Sequence, residues 1–141
     1  MYGEDGNDAL TGGPDDDFMT GGPGADTLTG GAGDDTVSYS ASTADVTIDP
    51  DGVSGDDGAA GEGDTIKTDV ENLSGGEGND TIRGSSGANS LYGWLGSDKL
   101  FGLDGDDKLN GSDGNDTLDG GLGADLLTAT SPTAAPGPTT E

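Results

Sequence analysis

The sequence predicts an all-β solenoid of short parallel strands wound at 18 residues per coil. Three observations predict it. A nine-residue pattern recurs ten times in a chain of 141 residues. Each copy carries one large apolar residue at the same place, which is too sparse a spacing for an amphipathic helix. Nearly every copy carries an aspartate two places before it, in a chain whose formal net charge is −25.

The first block spans residues 1–38. Aligned from Gly3, it reads GEDGNDALT (3–11), GGPDDDFMT (12–20), GGPGADTLT (21–29) and GGAGDDTVS (30–38). The second block, residues 75–128, reads GGEGNDTIR (75–83), GSSGANSLY (84–92), GWLGSDKLF (93–101), GLDGDDKLN (102–110), GSDGNDTLD (111–119) and GGLGADLLT (120–128). The shared pattern is G-G-x-G-x-D-x-U-x, with U apolar. Glycines at positions 1, 2 and 4 admit positive φ, so the first six residues form a wide turn. The x-U-x triplet is β-compatible and directs one residue inward. Two nonapeptides therefore make one coil, with two sheets facing each other across a narrow core of U residues: Leu10, Met19, Leu28 and Val37, then Ile82, Leu91, Leu100, Leu109, Leu118 and Leu127.

Coils in such a stack lie about 4.8 Å apart. Position 6 then stacks on position 6 two repeats later. It is occupied by Asp8, Asp17, Asp26, Asp35, Asp80, Asn89, Asp98, Asp107, Asp116 and Asp125. The stacked pairs are 8 with 26, 17 with 35, 80 with 98, 89 with 107, 98 with 116, and 107 with 125. Two bare carboxylates about 4–5 Å apart repel by roughly 3–4 kcal/mol at an effective dielectric of 20. A divalent cation between them reverses the sign. Carboxylate and turn-carbonyl oxygens form a hard, irregular donor set, which suits Ca²⁺ better than the tight octahedron of Mg²⁺.

The nonapeptide resembles the hemolysin-type calcium-binding repeat of the RTX family. The resemblance covers the ten repeats quoted above. It implies a parallel β-roll, with Ca²⁺ held between successive turns by the position-6 side chains and turn carbonyls at about six sites. It also implies a secreted, extracellular protein exported by type I secretion. Several repeats depart from the pattern. Asp15 replaces the third glycine of 12–20, Ser85 and Asn89 weaken the site of 84–92, and Trp94 and Leu103 replace the second glycine of their repeats.

Residues 39–74 lose the motif, yet they number four times nine, so the register is the same on both sides. Two coils of modified shape are expected here. The strands expected are Val46-Thr47-Ile48, Asp64-Thr65-Ile66 and Val70-Glu71-Asn72-Leu73, with 51–63 as a protruding loop. Asp64 is a candidate position-6 equivalent. Residues 129–141, with three prolines, read as a flexible tail.

Composition narrows the function. With no Cys and no His, a Ser-His-Asp triad, a Cys-His dyad and thiolate or imidazole metal centres are impossible. The negative charge excludes nucleic acid and anionic membranes as partners. No apolar run approaches the roughly 20 residues of a spanning helix, so no membrane insertion is expected. No basic segment leads into an apolar one, so no Sec-type signal is expected. Low hydrophobicity and high charge are the signature of disorder, so a folded state needs help from outside the chain. The position-5 acids Asp16, Asp34 and Asp106 read as solvated. Tyr92, Trp94 and Phe101 read as edge-covering aromatics, with a carbohydrate-stacking patch as the alternative. The expected function is non-enzymatic: calcium binding with Ca²⁺-induced folding into a rigid β-roll. The alternatives are an accessory module of a larger secreted enzyme or toxin, and a surface adhesin or spacer with a polysaccharide or cell-surface partner.

Overall fold

The computed structural model describes residues 1–130. Most of the stretch read as a tail, residues 131–141, lies outside the described residues. The chain is a parallel β-solenoid of about seven turns with about 18 residues per coil, and no helix occurs among the described residues.

The x-U-x triplets form the strands, as their β-compatible flanks require. In the first block these are β1 (Ala9–Gly13), β2 (Phe18–Met19), β3 (Thr27–Gly31) and β4 (Thr36–Ser38). The irregular segment contributes β5 (Val46–Ile48), β6 (Gly58–Ala59), β7 (Thr65–Ile66) and β8 (Asn72–Ser74). The second block gives β9 (Thr81–Arg83), β10 (Ser90–Tyr92), β11 (Lys99–Phe101), β12 (Lys108–Asp113), β13 (Thr117–Asp119) and β14 (Leu126–Thr130). β14 runs past its repeat because Ala129 and Thr130 find partners in Ser112 and Asp113.

One face is a single six-stranded sheet in the order β14-β12-β10-β8-β4-β2. The opposite face is two sheets, β1-β3-β7 and β13-β11-β9-β5-β6. U residues pair with U residues: Leu10 with Leu28, Leu91 with Leu109, Leu100 with Ile82. They close a core one side chain deep from each face, in which Met19, Leu28, Ile82, Leu91 and Leu100 are fully buried. Leu127, on the last described strand, is 44% exposed because no described strand lies beyond it.

The irregular segment is built differently on its two faces. On the continuous face β4 pairs directly with β8, 36 residues later, so the whole insertion occupies one layer there instead of the two coils expected. On the other face β7 stacks on β3 and β5 lies under β9, which reverses their chain order. β6 runs antiparallel beside β5. The carboxylate of Asp57 fills the seam: it accepts the amide of Asp49 at 2.7 Å, just past β5, and that of Ile66 at 2.8 Å in β7. Only part of the expected loop is exposed, because Asp57 and Gly58 are buried.

Since each U residue is confined between two neighbours of its own sheet and the facing strand, truncation leaves a void. Leu100→Ala is expected to destabilise the folded roll by about 2–5 kcal/mol. Leu127→Ala, half in solvent, is expected to cost no more than about 1 kcal/mol. Urea unfolding followed by circular dichroism measures both.

Candidate metal sites

The turns carry the chemistry. In most repeats the residues at positions 2 and 4 hold positive φ, as at Gly22 (104°) and Gly24 (137°). At position 2 the same conformation is kept by four non-glycine residues: Glu4 (73°), Trp94 (79°), Leu103 (81°) and Ser112 (64°). The turns placed in doubt by Trp94 and Leu103 therefore retain the shape of their neighbours. Trp94 is half exposed, and its indole N–H donates to Ser74 Oγ at 2.7 Å.

All six stacked position-6 pairs are brought together, and the contact has one form. The backbone N–H of the earlier residue donates to Oδ1 of the later one. Asp80 donates to Asp98 at 2.8 Å, Asn89 to Asp107 at 2.8 Å, Asp98 to Asp116 at 3.0 Å and Asp107 to Asp125 at 3.0 Å. Asp8 donates to Asp26 at 2.8 Å and Asp17 to Asp35 at 2.9 Å. Two further members continue the ladder into the irregular segment. Asp26 donates to Asp64 Oδ1 at 2.8 Å, which places Asp64 at position 6, and Asp35 donates to Glu71 Oε2 at 2.9 Å. Glu71 was not anticipated, since it stands outside any glycine pattern. The position-5 residues make a parallel, exposed ladder, with Asp16 accepting from Asp34 and Asp106 from Ala124.

The second carboxylate oxygen is the informative one. Oδ2 of Asp8, Asp26, Asp35, Asp98, Asp107 and Asp116 is buried with no hydrogen-bond partner. An ionised oxygen removed from water and left unpaired is strongly unfavourable. Those of Asp8, Asp35, Asp98 and Asp107 lie near a backbone carbonyl of the next coil. A Cβ added to Gly102 would run into both Asp107 Oδ2 and Gly120 O, and one added to Gly12 would meet Asp17 Oδ2 and Gly30 O at 2.6 Å each. Glycine at position 1 thus leaves the space in which an anionic and a carbonyl oxygen converge. Among the described residues no three Asp or Glu side chains gather at one point. A cation here would draw on one or two carboxylates and on turn carbonyls. The donor set is all oxygen and anionic, which fits Ca²⁺.

Asp64, Asp80 and Asn89, in and just after the irregular segment, are satisfied within the protein. Asp80 Oδ2 accepts the amide of Gly76 at 2.7 Å. Asn89 Oδ1 accepts the amide of Ser85 at 2.7 Å, and its Nδ2 donates to Glu71 O at 2.9 Å. Asp64 Oδ2 accepts the buried hydroxyl of Tyr39 at 2.6 Å. Tyr39 had no periodic signal that could have singled it out.

The profile of the RTX calcium-binding nonapeptide repeat (4 copies) matches residues 2–37, 68–100 and 95–127, together more than half of the chain. The chain belongs to this RTX calcium-binding repeat family. No individual curated protein matches it. Calcium is the family's ion, and the RTX turns of this chain present the oxygens such an ion takes.

Burial, followed by neighbouring charge, disturbs the carboxylates. Asp98 is pushed up to about 6, chiefly by desolvation, with Asp80 and Asp116 adding repulsion and the Asp80 amide opposing. Asp57 is pushed up to about 7 by burial, against the two amides it accepts. Asp64, Asp80 and Asp107 move in the same direction for the same first cause. A carboxyl whose folded pKa is raised stabilises the fold below its unfolded value and loses that contribution as pH rises through the folded value. In chelator the RTX chain is therefore expected to gain β-structure on acidification through about pH 7 to about pH 4. With calcium the sign inverts, because protons compete for Asp98: the calcium midpoint rises as pH falls through about 6. Circular dichroism at buffered free calcium measures both limbs.

Proposed function

We propose that this chain is a non-enzymatic calcium-binding module whose β-roll is completed by the ion. The observation that carries the reading is the set of six buried position-6 oxygens without a hydrogen-bond donor. The ligands assigned are Asp8, Asp17, Asp26, Asp35, Asp98, Asp107, Asp116 and Asp125, each with turn carbonyls. Asp80 and Asn89 lend their oxygens to their own turns instead. Binding to the folded state alone adds stability at each site by mass action. Only 28% of residues are apolar and the net charge is −25, so the ion-free chain is expected to be largely unfolded.

Sites of this type in extracellular modules work at about 10⁻⁴–10⁻³ M Ca²⁺. An ion-poor cytosol then leaves the chain open, and an ion-rich exterior closes it. RTX repeats are typical of secreted proteins, which supports an extracellular role reached by type I secretion. A second reading, an accessory module of a larger secreted RTX enzyme or toxin, is favoured by the repeat character of the described residues, whose turn carboxylates are engaged along the stack.

The expected result is loss of most β-structure in EDTA, recovery in millimolar CaCl₂, and much weaker recovery in MgCl₂. The same far-ultraviolet spectrum with and without calcium would sink the proposal. Asp98→Asn is expected to raise the calcium midpoint about tenfold, the equivalent of about 1.4 kcal/mol. Asp34→Asn, exposed and outside the ladder of position 6, is expected to leave it nearly unchanged.

A further inference from the structure

The turns of this roll are not alike, and they differ by place. Every unpartnered buried position-6 oxygen belongs to a turn before residue 36 or after residue 92. Of the five turn positions between them, four are closed or blank. Asp64 is capped by Tyr39 and Asp80 by the Gly76 amide. Asn89 is an amide, capped by Ser85. The fifth, Glu71, accepts the Asp35 amide through Oε2, as the other members of the ladder do. The equivalent place beneath Asp80 is held by Val46, whose amide donates to Asp80 Oδ1 at 2.9 Å.

The backbone records the same division. Positions 2 and 4 of the repeats at 93–128 hold positive φ throughout, at Trp94, Gly96, Leu103, Gly105, Ser112, Gly114, Gly121 and Gly123. No residue of 75–92 does, although Gly76, Gly78 and Gly87 offer the same freedom. The first of these turns lies directly on the irregular coil: an added Cβ at Gly76 would meet Ser42 O and Tyr39 O, and one at Gly78 would meet the Ala44 backbone. A turn laid over that coil takes its shape from it and swings its position-2 amide onto its own side chain.

Apolar burial is concentrated in the same region. Tyr39, Val46, Ile48, Ile66, Val70, Leu73, Ile82 and Leu91 are eight of the fourteen buried apolar residues of the described chain. Asp57 adds a buried carboxylate with both oxygens hydrogen-bonded.

We infer that residues 39–92 form a calcium-independent centre, and that calcium binds in two separate groups of sites, one in the turns before it and one in the turns after it. The inference rests on the reading of the chain as a calcium module and says where in it the ion acts. The centre pairs the carboxylates of Asp57, Asp64 and Asp80 internally, leaves Asp49 Oδ1 as its one buried side-chain oxygen without a partner, and acts as the nucleus on which the two ion-dependent arms assemble.

Hydrogen exchange on the full chain, with calorimetric calcium titration, tests it. In EDTA, amides of β5 and β7–β10 are expected to exchange at least about tenfold more slowly than those of β1–β3 and β11–β14, a difference that calcium addition removes. At saturating calcium, Asp80→Asn is expected to bind as many ions as the unaltered chain, and Asp98→Asn fewer. Uniform exchange along the chain in EDTA overturns the inference, as does an equal loss of ions in the two variants, while either result leaves the calcium module standing. Absence of calorimetric binding overturns both.

Discussion

The structure depends on how one side chain divides its two oxygens. From Asp26 onward, Oδ1 of the position-6 aspartate accepts an amide of the coil before it, as Asp98 does from Asp80. Oδ2 turns toward the carbonyls of the coil after it, as Asp107 does toward Gly120. The first contact is neutralised locally by an N–H dipole. The second brings together only negative ends of dipoles and charges. A chain with 29 acidic and 4 basic residues has no cations of its own to spare for ten nonapeptide turns, and Arg83, one of the four, lies over the Phe101 ring at 5.1 Å. A small divalent ion would supply what is missing, in the space that the glycine at position 1 keeps free of a side chain.

This division also explains what the bare stacking argument overstates. Carboxylates one above the other are separated by a peptide N–H that belongs to one of them, so part of the repulsion is already offset. What remains is desolvation, which is the first cause of the upward displacement of Asp98, Asp80 and Asp107 alike. The ion-free turn is therefore uncomfortable chiefly because the buried oxygens lack a partner, and only secondarily because they face each other.

Much of this was legible in the sequence. The inward U residues, the 18-residue coil and the six stacked pairs follow from phase alone, because a period that alternates between two sheets fixes which residue lies over which. The irregular segment was legible as strands but not as an order. Val46-Thr47-Ile48 and Thr65-Ile66 are equally good partners for β3 by composition, and their reversal is decided by the Asp57 carboxylate and β6, which fill the seam between them. The repeat at 75–83 matches the pattern completely, yet its turn closes on itself. The deciding neighbour, the backbone of residues 39–45, contacts it across the stack and is far from it in sequence. Tyr39 and Glu71 escaped notice for the same reason: their roles exist only once the stack is assembled.

Coupling along the roll is necessarily local. A coil touches only the coils on either side, so an ordered turn presents a template to the next, the behaviour of a one-dimensional array. The non-glycine residues at positive φ show how firmly that template acts. Trp94, Leu103 and Ser112 follow one another in successive repeats, each in a backbone region that costs of order 1–3 kcal/mol outside glycine. Isolated turns with these residues would relax to ordinary φ. They keep the left-handed form because the amide of Leu122 donates to Leu103 O at 2.7 Å and that of Asp113 to Trp94 O at 2.9 Å, so each turn is held by the one stacked on it. A turn conformation imposed by neighbours and not by its own residues needs a well-ordered neighbour to copy, and the coil built from residues 39–74, with its buried apolar residues and the paired carboxylates of Asp57 and Asp64, offers one.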